Sequence, residues 1–339
     1  MASLTISTIT QKDIPICEYI GGRNDGEIVY LNQGPCCENH DKIGSKKKAE
    51  SESDYEDSEV DSEEEQYRRY IRSKKSQGKK CTKTRRCCEF CMGEVPEAKK
   101  VQEITIRDEG KFQVIPKPTG SSHGFVFGSS GSGKSYFVGN YASVYQEFFP
   151  ENPVYLVSYI DEDSSIDRIP DLIRISIKDI MDGKITGKAI HDSMIIFDDV
   201  DALPSLPKEE PVEPEDPDEK PVKKVKGKDI NNPKDVFNVV EELRDQLLTT
   251  GRHHNVSVIV TSHLGANFGH TKKVINESSF ITVFPKGGNA AQIERIMSTY
   301  SGLNKKQLKK LVDQPSRWVM LSKVYPQYVV SEKSVYLVN

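Results

Sequence analysis

The sequence contains no apolar run of about eighteen residues, which is the length that a helix needs to cross a bilayer. Its N-terminus also lacks the basic segment followed by an apolar segment that is typical of a secretory signal peptide. We therefore expect a soluble, intracellular protein.

Cysteine is absent from most of the chain, because all seven cysteines precede residue 92. An odd number in a chain that is expected to be intracellular argues against a disulfide framework. Cys88 and Cys91 have C-x-x-C spacing, and Cys36, Cys37 and His40 would supply further ligands for tetrahedral zinc. A second C-x-x-C is missing, so free thiols are the alternative to a structural zinc site.

The net charge of −4 on 339 residues is modest, but the charge is unevenly distributed. Residues 51–65 form a Ser/Asp/Glu run, and a basic run follows it. Residues 204–229 combine prolines and acidic residues with lysines. These segments lack the apolar residues that would offset their ordering entropy. We predict a disordered linker at 46–86, which is either a solvated polyampholyte or a tail that contacts nucleic acid phosphates, and a disordered insertion at 204–229.

One short stretch fits the pattern G-x-x-x-x-G-K-[ST], in which glycines let several backbone N–H groups face phosphate oxygens. Lys134 would reach the β and γ phosphates of ATP, and the Ser135 hydroxyl would ligate Mg²⁺. The apolar run 124–127 before it and the helical spacing of residues 136–145 after it favour this interpretation over an ordinary Gly/Ser turn. The predicted nucleotide-binding residues are Gly128, Ser129, Ser130, Gly131, Ser132, Gly133, Lys134 and Ser135.

Apolar runs alternate with helical patterns along the rest of the chain, which predicts an α/β fold of the P-loop NTPase type with a mainly parallel central sheet flanked by helices. Residues 104–107 and 112–115 flank a turn signal and predict a β-hairpin. Other strands are predicted at 27–31, 154–158, 172–175, 194–197, 256–261, 280–284, 318–322 and 328–330. Helices are predicted from Pro233 to Gly251, at 292–297 and at 306–312.

These patterns predict an ordered ATPase domain at 100–339 that contains the insertion. It is preceded by a weakly patterned segment at 1–45, the linker and a Cys-containing segment at 87–99. Ligands of a parallel sheet bind at the carboxyl ends of its strands. Gly128, Asp198 and Thr261 each follow or end a strand, so we expect them at one edge of the sheet.

The strand 194–197 runs directly into two acidic residues, as expected for the partner of a phosphate-binding loop. Asp198 is nearer the strand and is predicted to hold Mg²⁺ through the water shell of the ion. Asp199 is predicted to orient or deprotonate the attacking water. Many related ATPases use Glu here, so Asp199 has a shorter reach; the alternative is that it merely starts a turn.

Two further side chains are candidates for catalysis. His263 follows the next strand and is predicted to sense the γ-phosphate, although a histidine at a strand end is also compatible with a structural role. Arg252 precedes the same strand and is predicted to act as an arginine finger on the nucleotide of a neighbouring subunit. Its alternative role is a favourable charge at the C-terminus of a helix.

Residues 127–135, 194–199 and 251–263 together resemble the FtsK/HerA superfamily, and most closely the poxvirus-type genome-packaging ATPases of large DNA viruses. The third stretch is the most specific of the three. The resemblance implies a homo-oligomeric ring that uses ATP to pump double-stranded DNA into a capsid, with capsid or membrane-associated virion proteins as further partners. For a viral protein of this kind, the expected location is the host-cell assembly site, with the virion as a second location. His263 stands where many relatives carry Gln, and the N-terminal region and the insertion are outside the shared pattern.

We therefore favour an ATP-hydrolysing DNA translocase that packages viral genomic DNA. A P-loop kinase of a small-molecule acceptor is one alternative, although the insertion is Pro-rich and contains no arginine that would serve a kinase lid. A nucleotide-gated scaffold that does not hydrolyse ATP is the other alternative, and the acidic pair 198–199 argues against it.

Overall fold

A computed structural model describes residues 2–7, 13–32, 101–118, 120–200, 232–263, 268–287 and 290–338. The predicted linker, the zinc ligands and the predicted insertion lie outside the described residues. Cys17 is the one cysteine among the described residues, and it is buried with a free thiol. No helix in the described part of the chain is long and apolar enough to span a membrane.

A ten-stranded sheet forms the centre of the fold. Its strands are β4 (Glu103–Thr105), β6 (Gly124–Phe127), β7 (Val154–Ser158), β8 (Ile173–Arg174), β9 (Ser193–Asp198), β10 (Val256–Ser262), β11 (Phe280–Val283), β12 (Val319–Ser322), β13 (Tyr328–Ser331) and β14 (Ser334–Leu337). They lie side by side in the order β4-β14-β13-β12-β11-β6-β10-β9-β7-β8. The six strands from β11 to β8 in this order form a parallel half. Strands β12, β13, β14 and β4 continue the sheet in antiparallel pairs.

The central strands are mainly apolar because helices cover both faces of the parallel half. All residues of β6, β9 and β10 are buried. The predicted mainly parallel α/β fold is confirmed. The helices are α1 (Lys134–Phe148), α2 (Ile177–Met181), α3 (Pro233–Thr250), α4 (Phe268–Glu277), α5 (Ala290–Tyr300) and α6 (Lys305–Val312).

Helix α3 begins where the sequence predicts. The Asn232 side chain accepts a hydrogen bond from the Lys234 backbone, and Pro233 occupies the first turn, where no N–H is needed. Gly251 ends the α-helix, but a 3₁₀ turn continues from Gly251 to His254. Asn255 then adopts a left-handed conformation and leads into β10.

The N-terminal strands form a second sheet with part of the segment before the phosphate loop. Strands β1 (Ser3–Ser7), β2 (Ile14–Ile20) and β3 (Ile28–Asn32) join β5 (Lys111–Val114) in the order β1-β3-β2-β5. The prediction that the ordered domain begins near residue 100 is therefore wrong, whereas the strand predicted at 27–31 is confirmed as β3.

The predicted hairpin between residues 104 and 115 is also wrong. Strand β4 pairs with β14, and β5 pairs with β2, so the two strands belong to different sheets. The turn between them serves a long-range contact, because the Asp108 carboxylate accepts hydrogen bonds from the Tyr19 hydroxyl and the Arg23 backbone. A Cβ at Gly110 would lie 2.4 Å from the carbonyl oxygen of Gly21, so only glycine fits there.

Candidate active site

Three parallel strands end side by side at the candidate site. In the sheet register Ser262 of β10 pairs with Phe127 of β6, and Val260 pairs with Phe197 of β9. Gly128 immediately follows β6, and Asp198 is the last residue of β9. The structure therefore brings the phosphate loop and the two carboxylates to one edge of the sheet, as the sequence predicts.

The backbone of the loop from Gly128 to Gly133 has the conformation that a phosphate cradle needs. Gly131 and Gly133 have φ angles of 72° and 106°, which residues other than glycine rarely adopt. A Cβ at Gly128 would lie 2.6 Å from the Ser132 hydroxyl oxygen. That hydroxyl is buried and has no hydrogen-bond partner among the described residues, so a phosphate oxygen would satisfy it.

Lys134 begins helix α1 and is buried at 4% exposure. Its ammonium group donates hydrogen bonds to the carbonyl oxygens of Gly128 at 3.1 Å and Ser129 at 3.4 Å. The same Nζ lies 2.9 Å from Nδ1 of His263 and 3.6 Å from Oδ2 of Asp199. Lys134 therefore connects the phosphate loop to the residues that follow β9 and β10.

The contact with Lys134 fixes which nitrogen of His263 carries its proton. Because an ammonium group can only donate, Nδ1 of His263 accepts, and the ring proton resides on Nε2. Nε2 lies 2.7 Å from Oδ2 of Asp199 and donates to it. The predicted sensor histidine therefore contacts both the loop lysine and the predicted catalytic carboxylate.

Thr261 links the two aspartates from the neighbouring strand. Its hydroxyl oxygen accepts from the Asp199 backbone N–H at 2.8 Å and lies 2.8 Å from Oδ1 of Asp198 and 3.2 Å from Oδ1 of Asp199. The single hydroxyl proton serves one carboxylate at a time. Asp199 has a φ angle of 47°, which turns the chain sharply after β9 and aims this side chain toward Lys134.

Asp198 has the properties expected of a residue near a cation. The pKa of Asp198 is raised to about 6, mainly because its carboxyl is buried and also because of the neighbouring Asp199 and Asp163 charges, while the Thr261 hydrogen bond and the Lys134 charge act in the opposite direction. A divalent cation would favour the ionised carboxylate and offset its burial. Ser135 and Asp198 are the residues that could hold Mg²⁺, which commonly takes one or two protein ligands together with phosphate oxygens and water. No cluster of three or more His, Cys, Asp or Glu ligands occurs among the described residues.

Arg252 is the one predicted site residue that the structure keeps away from this edge. It lies in the 3₁₀ turn before β10, and β10 separates it from His263 by about 20 Å, taking 3.3 Å for each residue of a strand. Its guanidinium is 64% exposed and lies 3.4 Å from a carboxylate oxygen of Glu277. Arg252 therefore does not contact the nucleotide site of its own chain.

Two other residues reach the loop from distant parts of the sequence. The carbonyl oxygen of Gly287, after β11, accepts a hydrogen bond from the Ser129 hydroxyl. A guanidinium nitrogen of Arg317, before β12, lies 3.6 Å from where a Cβ on Gly133 would be. No local motif marks either residue, since both reach the site only through the pairing of β11 with β6 and β12.

A comparison with curated proteins finds a viral relative. The uncharacterized protein V3 of Sputnik virophage is 31% identical to this chain over 238 residues, which cover 70% of this chain and 85% of the relative. No family model matches the chain.

Solved structures with a related arrangement have lower identities. The genome packaging NTPase B204 from Sulfolobus turreted icosahedral virus 2, in complex with ATPγS, is 13% identical with a TM-score of 0.35, over 63% of this chain and 97% of that chain. The conjugation coupling protein TcpA of pCW3, with ATPγS, is 9% identical with a TM-score of 0.38, over 70% of this chain and 65% of that chain.

Proposed function

The chain belongs to the same family as protein V3 of Sputnik virophage, and on that premise and the geometry of its site we propose that it is an ATP-hydrolysing DNA translocase. The resemblance of its three motifs to FtsK/HerA-type packaging ATPases supports double-stranded viral DNA as the substrate that it moves. It also supports a ring of identical subunits, with capsid or membrane-associated virion proteins as partners.

The observation that carries this proposal is the connected cluster of Lys134, Asp199 and His263. The distances of 3.6 Å from Lys134 Nζ to Asp199 and 2.7 Å from His263 to Asp199 put a carboxylate directly opposite the phosphate loop. A simple phosphate-binding pocket does not need an acceptor there. A hydrolase does, because a carboxylate at this position orients the attacking water and accepts its proton.

Each remaining group then has a role. The loop amides and Lys134 bind the β and γ phosphates, while Ser135 and Asp198 hold Mg²⁺. The metal supplies positive charge that neutralises the phosphate oxygens. His263 contacts both Lys134 and Asp199, so loss of the γ-phosphate would be transmitted to it through either residue.

Arg252 fits this proposal as a residue that acts on a neighbouring subunit. Its exposure of 64% and its position at the opposite edge suit an interface rather than its own pocket. In mixed oligomers, Arg252→Ala subunits would supply an intact Lys134, and Lys134→Ala subunits would supply an intact Arg252. Mixing the two inactive variants should therefore restore part of the activity. If no mixture is more active than the separate variants, the role in trans is wrong.

The central experiment is ATP hydrolysis by the full chain, measured with and without duplex DNA. We expect duplex DNA to stimulate turnover. Lys134→Ala should lower turnover by roughly 100-fold or more, because it removes the cation that contacts the transferred phosphate. Lys305→Ala, at the exposed start of α6, is a matched control that should have no effect.

The outcomes also separate the two alternative functions. Transfer of phosphate to a nucleoside acceptor in the absence of DNA would indicate a kinase instead. Binding of ATP without turnover, in every oligomeric state and with every DNA tested, would indicate a nucleotide-gated scaffold. Turnover that duplex DNA leaves unchanged would contradict the translocase.

A further inference from the structure

A cavity of about 290 Å³ lies beside the phosphate loop and is separate from the catalytic cluster. Helix α1 forms one wall, the segment before β12 forms a second, and strands β2 and β5 of the N-terminal sheet form the third. Five aromatic side chains line the cavity, together with the aliphatic side chains of Ile20 and Val114 and the amides of Gln113 and Asn140. Three charged side chains, those of Glu109, Lys111 and Glu332, complete the lining. The aromatic residues are Phe112, Tyr136, Phe137, Tyr141 and Trp318.

The cavity begins within one helical turn of the phosphate loop. The Phe137 backbone donates to the carbonyl oxygen of Gly133 at 3.0 Å, so Phe137 stands one turn, about 5.4 Å, along the helix from the loop. The ring of Trp318 lies 5.0 Å from that of Phe137. Arg317, adjacent to Trp318, reaches Gly133 itself. The cavity is therefore within reach of the nucleoside half of a triphosphate held by the loop.

Tyr136 is fixed in place although 54% of it is exposed. The guanidinium carbon of Arg168 lies 4.3 Å from the centre of its ring. Arg168 also donates to the Tyr136 carbonyl oxygen at 3.0 Å and to the side-chain oxygen of Asn140. An exposed aromatic ring that is held by a cation is a suitable platform for a stacked base.

We propose that this cavity takes the purine base of the nucleotide whose phosphates the loop binds, an inference that rests on the proposed function. Mainly hydrophobic and aromatic walls with a few amide and charged groups are typical of a small-molecule site. A purine offers a larger stacking surface than a pyrimidine, and its ring nitrogens and exocyclic groups match amide donors and acceptors. The N-terminal sheet, through Phe112 and Gln113, is then part of the nucleotide site.

Trp318 provides the measurement, because it is the single tryptophan of the chain. Its fluorescence should change when ATP or GTP binds to the full chain. Dissociation constants from calorimetry should be roughly tenfold lower for ATP and GTP than for CTP, UTP or inorganic tripolyphosphate, a factor expected from base stacking. Tyr136→Ala should remove most of this purine advantage and leave the affinity for tripolyphosphate unchanged. Tyr325→Ala, a control at an exposed turn outside the cavity, should keep the advantage.

The possible failures are distinguishable. The proposed base site is wrong if the dissociation constants of all five ligands lie within about twofold of one another. It is also wrong if saturating ATP leaves the Trp318 emission unchanged. Hydrolysis that depends on Lys134 would then still support the proposed function. If none of the five ligands binds, both the base site and the proposed function are overturned.

Discussion

The two halves of the ten-stranded sheet contribute different parts of the nucleotide site. The parallel half supplies the phosphate loop after β6, the acidic pair after β9, and Thr261 and His263 from β10. The antiparallel half supplies Arg317 and Trp318, because β12 runs opposite to β11 and so begins at the edge where the parallel strands end. In the proposed function the first group surrounds the transferred phosphate, and in the proposed base site the second lies toward the nucleoside. Substitutions in the two halves should therefore alter different kinetic constants.

The largest effect should come from the carboxylate of the parallel half. Asp199→Asn keeps the side-chain size but removes the group that accepts a proton from water, so kcat should fall by roughly 100-fold to 10,000-fold. The dissociation constant of ATP should change by less than about threefold, because the loop and Lys134 are intact. Steady-state hydrolysis and calorimetric ATP binding measure the two constants.

Asp192→Asn is the matched control for this substitution. Asp192 also has a positive φ angle, 43°, but it precedes β9 and lies at the opposite edge of the sheet. It accepts a hydrogen bond from Asn255 rather than contacting the loop. Normal kcat in the Asp199 variant would contradict the proposal that this carboxylate acts on the attacking water.

The sequence predicts the parallel half well because its information is local. Runs such as Met194–Phe197 are buried on both faces, so an unbroken apolar run identifies the strand, and the polar residues that follow it mark the edge. The position of His263 at this edge is predicted in the same way, because it directly follows the strand β10. The role of Thr261 could have been inferred from a hydroxyl at the end of an otherwise apolar strand.

The antiparallel half and the N-terminal sheet are harder to predict from the sequence because their strand pairings join distant residues. The segment 108–111 has the composition of a hairpin turn, yet the Asp108 carboxylate accepts hydrogen bonds from Tyr19 and Arg23. The strands on either side of this segment, β4 and β5, pair with β14 and β2 rather than with each other. Arg317 has no motif at all. Its proximity to Gly133 depends on the order of β6, β11 and β12, which no short stretch of sequence encodes.

The opposite edge of the parallel half holds a buried histidine that should affect stability rather than hydrolysis. His123 precedes β6 at the edge away from the nucleotide, and only 2% of it is exposed. Its Nδ1 accepts from the Val258 backbone at 3.2 Å. Burial, and secondly the charge of Arg252, lowers the pKa of His123 from 6.5 to about 4. Its neutral form is therefore the form that the folded protein favours.

The unfolded chain binds a proton at His123 between pH 6.5 and about 4 while the folded chain does not. Acidification through this window should therefore lower the free energy of unfolding, by up to roughly 3 kcal/mol. Urea denaturation at several pH values measures it. His123→Gln should flatten this part of the pH dependence, whereas the exposed His191→Gln should not. Equal slopes for the two variants would contradict the prediction, and kcat at neutral pH should stay normal in both.

The smallest effect should come from the antiparallel half. One carboxylate oxygen of Glu332 accepts hydrogen bonds from the Arg317 backbone at 2.8 Å and the Ser316 hydroxyl at 3.2 Å, which fixes the segment before β12. Glu332→Ala leaves both donors without this acceptor, at a cost of about 1 kcal/mol, so KM for ATP should rise roughly fivefold. Because the acids of the parallel half are untouched, kcat should remain normal. Glu332→Gln retains an acceptor oxygen and should restore KM, whereas a loss of kcat in either variant would mean that the two halves act on hydrolysis together.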